Sequence, residues 1–211
     1  MKRQTPDTAS QDSASQETLA QDTRSHILAV GRRLTATRGY RGVGLSELLQ
    51  AASVPKGSFY HYFASKEAYG CALLTAFVEE YEKGLSRSLN DDQLTARDRL
   101  LTYFETWHAR QISGNPEDRC LVVKLSAEVA DLSPDMSRIL QRGVAAILRR
   151  LSQTLRDGAE DGSIAPLDDA ESLAEAIYHQ WLGASLLAGL SHDDAPLRSA
   201  MHMTRKMIPP A

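Results

Sequence analysis

The chain has 211 residues, with 24 Lys and Arg against 27 Asp and Glu, a formal net charge of -3, and 42% hydrophobic residues. These proportions exclude a wholly disordered chain, and no apolar run approaches the ~18 residues of a membrane span, so neither a membrane partner nor a signal peptide is expected. Two cysteines are too few for a disulfide framework and the six histidines show no ligand spacing; a reducing cytoplasm, no metal and no cofactor are the expectation.

Residues 1–22 are rich in Gln, Ser, Thr and Asp without apolar periodicity and read as a disordered arm. Asp22 or Thr23 then serves as the expected N-cap of a first helix, with Ile27, Leu28, Gly31 and Leu34 on one face and Gly39 as the stop. A second helix starts at Ser46 and stops near Ser53, where Val54-Pro55 forces a turn because a residue before proline avoids helical geometry. A third, very short helix follows over about Lys56–Phe63, and Ser65 caps a fourth. Residues 24–70 hold seven Lys and Arg against only Glu47 and Glu67, while residues 71–211 hold 15 against 21. A basic segment on an acidic body suits phosphate-backbone binding; a solvated basic face with no ligand has the same composition.

From residue 71 the periodicity is helical to the end. Cys71, Leu74, Val78, Tyr81, Leu85 and Leu89 mark the fourth helix; Leu94, Leu101, Phe104 and Ile112 a fifth, up to Gly114-Asn115-Pro116. Cys120 to about Asp131 forms a sixth, Met136 to Leu155 a seventh, Leu173 to Leu186 an eighth and Leu197 to Ile208 a ninth. No strand-type alternation of useful length occurs. The expected fold class is all-α, with about nine helices: a three-helix domain over 23–70 and a helical sensing and dimerisation bundle over 71–211.

Two short helices across a tight turn, in a basic segment, are the parts of a helix-turn-helix. The second must be thin at its start to enter a major groove, and Gly57 and Ser58 carry no bulk there. Free backbone N–H groups at that end favour a phosphate oxygen. Within Phe59-Tyr60-His61-Tyr62-Phe63, residues four apart share a face, so Phe59 and Phe63 point to the core. Tyr60, His61 and Tyr62 are left to reach phosphates or base edges. Ser46, Lys56 and Lys66 complete the candidate DNA-binding set, with Lys66 expected to clamp the backbone.

Gly39-Tyr40, Gly44-Leu45-Ser46-Glu47-Leu48-Leu49 and the fourteen consecutive residues 54–67 resemble the DNA-binding domain of TetR-family repressors. The resemblance implies a recognition helix carrying Gly57, Ser58, Tyr60, His61 and Tyr62, a phosphate contact at Lys66, and a C-terminal ligand-binding and dimerisation bundle. Residues 120–133, Tyr178 and Trp181-Leu182-Gly183-Ala184 are similar to the branch of that family that responds to reactive electrophiles and hypochlorous acid. It implies that Cys120 is the sensing thiol. Those sensors carry a lysine where this chain has Gly189, so the resemblance does not extend to a sulfur–nitrogen bond.

Read without the family, Cys120 opens a helix beside Arg119 and four residues before Lys124, surroundings that favour thiolate. A buried inert thiol is the plainer alternative, and packing is the expected role of Cys71. Tyr103, Trp107, Tyr178 and Trp181 are large enough to line a pocket, with His108 and Lys124 as polar points, although rings at helical spacing also serve as packing. Ile177, Trp181, Leu182 and Leu186 make the eighth helix apolar on more than one side, which points to a homodimer through helices eight and nine. The expected function is a repressor released from double-stranded operator DNA when a small reactive electrophile or oxidant modifies Cys120. A repressor with a reversible, non-covalent inducer is the alternative. A thiol peroxidase, from a different class, lacks partner residues and leaves the basic segment unexplained.

Overall fold

The computed structural model describes residues 8–211, with side chains from residue 22 onward. Of the disordered arm expected over residues 1–22, residues 1–7 lie outside the described residues, and residues 8–22 are helical, a correction to that expectation. Among the described residues there are nine α-helices and no strand, the all-α class expected. Contacts divide the chain into Met1–Leu73 and Leu74–Ala211, three residues past the expected boundary.

In the first unit α1 spans Thr8–Arg38, so Asp22 and Thr23 stand inside the helix rather than capping it. It ends where Gly39 adopts φ 78 and its N–H closes on Thr35 O at 2.8 Å. That left-handed geometry is cheap for glycine alone. Helix α2 spans Leu45–Ala52 with Gly44 as N-cap, which puts Ser46 in the first turn instead of at the start. Ser53 takes φ 54, donates to Gln50 O, and with Val54-Pro55 turns the chain sharply into α3, Lys56–Tyr62. Helix α4 spans Lys66–Leu89, and Ser65 Oγ accepts the Ala68 N–H at 2.9 Å, the cap expected of it. The core of this unit is Ile27, Leu48, Phe59 and Tyr69, all nearly inaccessible. Ile27, Leu48 and Phe59 each contribute about 1.5–3 kcal/mol on burial. His26 Nε2 to Ala52 O (3.1 Å) and the Arg38–Glu47 ion pair tie α1 to α2.

The second unit contains the later turns of α4, then α5 (Ala96–Ile112), a 3-10 turn (Pro116–Asp118), α6 (Leu121–Ala130), α7 (Pro134–Glu160), α8 (Ala170–Ser191) and α9 (Ala195–Met207). Thr95, Ser133 and Asp169 cap α5, α7 and α8 through their side-chain oxygens, each on a backbone N–H two or three residues into the helix. Leu94, expected within the fifth helix, lies before the cap and is exposed, as is Ile112 at the other end. The α7 stripe Met136, Leu140, Ile147, Leu151, Leu155 is buried as its spacing requires. Where α7 crosses α4, Gly143 stands so close that a Cβ there would meet Val78 Cγ2 at 2.8 Å.

Candidate functional site

Two clusters carry chemistry, one in each unit. In the first, α3 rests on the unit by two rings. Phe59 is fully buried and sits 5.2 Å from Phe63 and 5.7 Å from Tyr69, centroid to centroid. Helical geometry then turns the remaining residues outward: Lys56, Gly57 and His61 are exposed, Tyr60 is 47% exposed, and Ser58 and Tyr62 are half-buried. His61 and Tyr62 meet edge to face at 4.9 Å, which holds both rings in one arrangement. A Cβ added at Gly57 would meet nothing within 4 Å, so that end of α3 is open on its outer side. Ser46 is exposed on α2. The face so formed carries phenol, imidazole, hydroxyl and ammonium groups and no carboxylate of α3.

Lys66 differs from the expectation. Its ammonium donates to Val43 O at 2.7 Å and stands 5.2 Å from the Tyr40 ring centroid, while Tyr40 Oη donates back to Lys66 O at 2.6 Å. At least one of its three hydrogens is thus committed to holding the loop after α1. Burial, followed by neighbouring Cys71 and Glu67, pushes the Tyr40 phenol up to about 12, so it remains a donor.

In the second unit Cys120 is the N-cap residue of α6, partly buried against the aromatic core. Its N–H donates to Gln111 Oε1 at 3.0 Å, an anchor that no local spacing in the sequence signals. The thiol is the main correction. Burial pushes Cys120 up, and the backbone N–H groups of Val123 and Val122 at the start of α6 oppose that without reversing it. The helix terminus acts in the expected direction, but desolvation against the rings wins. Lys124 and Arg119 are exposed and lend the sulfur no charge that alters this order. Cys71 is partly buried in the first unit.

The residues expected to line a pocket are brought together, but as packing. Phe104 stacks on Trp181 at 5.0 Å, and Trp107 lies 5.8 Å from Trp181 and 5.7 Å from Tyr178. Tyr103, Trp107, Tyr178 and Trp181 are all buried. Both indole N–H groups are satisfied inside the protein, Trp107 Nε1 by Ser185 Oγ at 3.0 Å and Trp181 Nε1 by Thr204 Oγ1 at 2.9 Å. His108 pairs with Asp194 at 3.2 Å. An apolar crevice does exist elsewhere in this unit, between α4, α6 and α7, lined by Phe77, Val78, Tyr81, Val122, Leu140 and Val144. Tyr81, which the sequence shows only as one position of an apolar stripe, bonds Tyr103 hydroxyl to hydroxyl at 2.7 Å.

Helix α8 sorts its apolar residues by face. Ile177 and Trp181 are inward, whereas Leu186, Leu187 and Leu190 are exposed, the last at 78%, and Gly183 completes the same i, i+3, i+4, i+7 face. The outward stripe is therefore further along the helix than Ile177 and Trp181. No helix among the described residues is long and apolar enough to cross a membrane, and no group of three or more His, Cys, Asp and Glu could hold a metal ion among them.

Comparison with known proteins gives two family matches: bacterial regulatory proteins of the tetR family over residues 27–68, and the tetracyclin repressor-like C-terminal domain over residues 96–204. The HTH-type transcriptional repressor NemR of Escherichia coli K12 is 41% identical over 187 residues, covering 89% of this chain and 94% of that protein. The transcriptional regulator AcuR of Cereibacter sphaeroides is 32% identical over 173 residues, covering 82% and 79%. The crystal structure of the reduced form of E. coli NemR superposes with a TM-score of 0.86 at 41% identity, covering 90% of this chain and 98% of that one.

Proposed function

Because the chain belongs to the TetR family of bacterial regulatory proteins, as a transcriptional repressor that binds DNA, we propose that Cys120 sets its DNA affinity. Regulators of this family bind operator DNA as dimers and are not enzymes, so the thiol-peroxidase reading has no support. The reading is that of a cytoplasmic repressor that leaves its operator when Cys120 reacts with a small electrophile or oxidant.

Reading of DNA falls to Gly57, Ser58, Tyr60, His61 and Tyr62 on the outer face of α3, with Lys56 and Ser46 on backbone phosphates. The support is their common exposure while Phe59 and Phe63 anchor the helix from behind. Lys66 serves the loop first and a phosphate second.

The observation that carries the sensing reading is the position of Cys120: at the first turn of α6, partly accessible, with its inner side on the rings of α5 and α8. Adding atoms to that sulfur overfills a packed core, which costs about 1–3 kcal/mol where the surroundings cannot give. A conformation of the body that relieves this strain is favoured by the same amount, roughly five- to 150-fold. Helix α4 runs from Lys66 to Leu89 and so continues from the DNA-reading unit into the sensing unit. The E. coli relative was crystallised as a reduced form, which fits a protein for which redox state matters.

The test is operator binding titrated with N-ethylmaleimide. Wild type loses affinity in proportion to Cys120 labelling, and Cys120→Ala holds its operator throughout; equal sensitivity of the two would sink the thiol reading. The second reading, a reversible apolar inducer, is favoured by the crevice between α4, α6 and α7. Release by an unreactive hydrophobic compound, undiminished in Cys120→Ala and lost in Val144→Trp, would establish it instead.

A further inference from the structure

The hydroxyl of Tyr178 has no hydrogen-bond partner although the residue is completely buried. Native cores rarely leave such a group unpaired, so its orphaning calls for a reason. Tyr81 and Tyr103 show a related surplus. Their hydroxyls stand 2.7 Å apart and share one hydrogen bond, whichever of them donates. A phenol has one hydrogen, so the pair uses one and leaves one unspent. Cys120 and Tyr81 both pack against the buried core that contains Tyr103 and Tyr178. The Cys120 sulfur is close enough that a charge on it would act on all three phenols, which burial above all holds protonated. Two phenolic hydrogens and a sulfur that accepts only weakly thus share one enclosed corner of the body.

We propose that Tyr178 and the Tyr81–Tyr103 pair form a hydrogen-bond receptor for a sulfenic acid formed on Cys120. The inference rests on the thiol-sensing reading above and names its oxidised state. A hydroperoxide ROOH supplies the oxygen: the sulfur attacks it, the S–O bond forms as the O–O bond breaks, and two electrons pass from sulfur to peroxide. The thiol proton leaves with the alkoxide, so Cys120–SH and ROOH become Cys120–SOH and ROH. The new oxygen has two lone pairs, matching the two unspent hydrogens, Tyr178 Oη–H and the spare one of the pair. Holding the oxygen on both lone pairs keeps the S–OH group inside the packed corner, where a second peroxide or a thiol reaches the sulfur less readily, and so holds oxidation at its first, reversible step. Gly189, which has no side chain and is exposed, supplies no amine to trap the sulfur.

The experiment measures how long the sulfenic acid lasts. Reduced full-length chain is treated with hydrogen peroxide, the peroxide is removed, and dimedone is added at intervals; the Cys120 peptide is quantified by mass spectrometry. Tyr178→Phe shortens the half-life at least about fivefold relative to wild type, the worth of one lost hydrogen bond. Tyr103→Phe, a second variant should the first fold poorly, shortens it at least about twofold. Both keep the operator affinity of the reduced protein. Equal half-lives in wild type and both variants overturn the receptor, as does the absence of a dimedone adduct on Cys120 in wild type. If N-ethylmaleimide releases the operator but the half-lives are equal, the receptor falls and thiol sensing stands. If the half-lives differ fivefold but N-ethylmaleimide releases nothing, the receptor stands and thiol sensing falls.

Discussion

Phe59 and Tyr60 are neighbours in sequence and opposites in environment, one fully buried and the other 47% exposed. That contrast is legible in the sequence, because residues four apart share a face and the rest of a short helix must look elsewhere. Cys120 is not legible in the same way. Its helix-opening position can be read from Gly114-Asn115-Pro116 and the charged run after it, but its desolvation depends on rings from α5 and α8, and local sequence is blind to these. Burial keeps the thiol above its ordinary range, so at neutral pH only a small thiolate fraction reacts. Labelling of Cys120 by N-ethylmaleimide should therefore accelerate about tenfold per pH unit from pH 6.5 to 8.5, since all of that interval lies below the folded-state pKa. A rate that levels off near pH 7.5 would mean a depressed pKa and contradict burial as the dominant influence. Lys66 gives a second prediction at this scale. Its bond to Val43 O spans 23 residues, beyond any local pattern. Lys66→Ala should lower folding stability by about 1–2 kcal/mol in urea titration, and flatten the salt dependence of duplex binding by about one unit. A stability loss with an unchanged salt slope would assign Lys66 to the fold alone.

Among elements, the legible features are punctuation: Gly39 ending α1, Pro55 at the head of α3 and Ser65 before α4 all stand where their backbone chemistry places them. The start of α1 departs from expectation because an Asp-Thr pair is only a capping signal when the chain before it is not helical, and here the helix begins at Thr8. Close approaches between helices are likewise hidden. Spacing puts Gly31 on the inner face of α1 but does not name its partner: a Cβ there would lie 1.6 Å from Tyr69 Oη, whose hydroxyl is itself buried and unpaired. Gly31→Ala should destabilise the chain by about 1–3 kcal/mol through this overlap, despite alanine's better helix propensity. Tyr69→Phe in the same chain removes the closest atom and should restore part of the loss. A thermal midpoint that rises in Gly31→Ala would show that α1 and α4 pack otherwise.

For the whole molecule, the division into a basic head and an acidic body is readable from charge and periodicity, whereas the surface of α8 is only half readable. The sequence shows that the helix is apolar on more than one side; only packing shows that Trp181 is inward and Leu186, Leu187 and Leu190 outward. An exposed stripe of three leucines beside Gly183 is what a two-fold partner would cover, and dimerisation is the habit of the family. Leu187→Glu with Leu190→Glu should yield a monomer by sedimentation velocity while circular dichroism stays helical. The same variant should lose operator affinity, since a lone head reads one half-site; a double variant that remains dimeric would place the interface elsewhere.

If chemistry at one sulfur in the body sets the grip of the head on DNA, fluorescence anisotropy of a labelled duplex from the chain's own promoter must follow the redox state of that sulfur. One sample is followed as reduced protein, after hydrogen peroxide, and after a thiol reductant. Binding should be tight at first, at least about tenfold weaker once Cys120 is oxidised, and restored on reduction, with Cys120→Ala constant throughout. Affinity that stays the same through the whole cycle in wild type, or a Cys120→Ala protein that cycles as wild type does, would contradict the coupling.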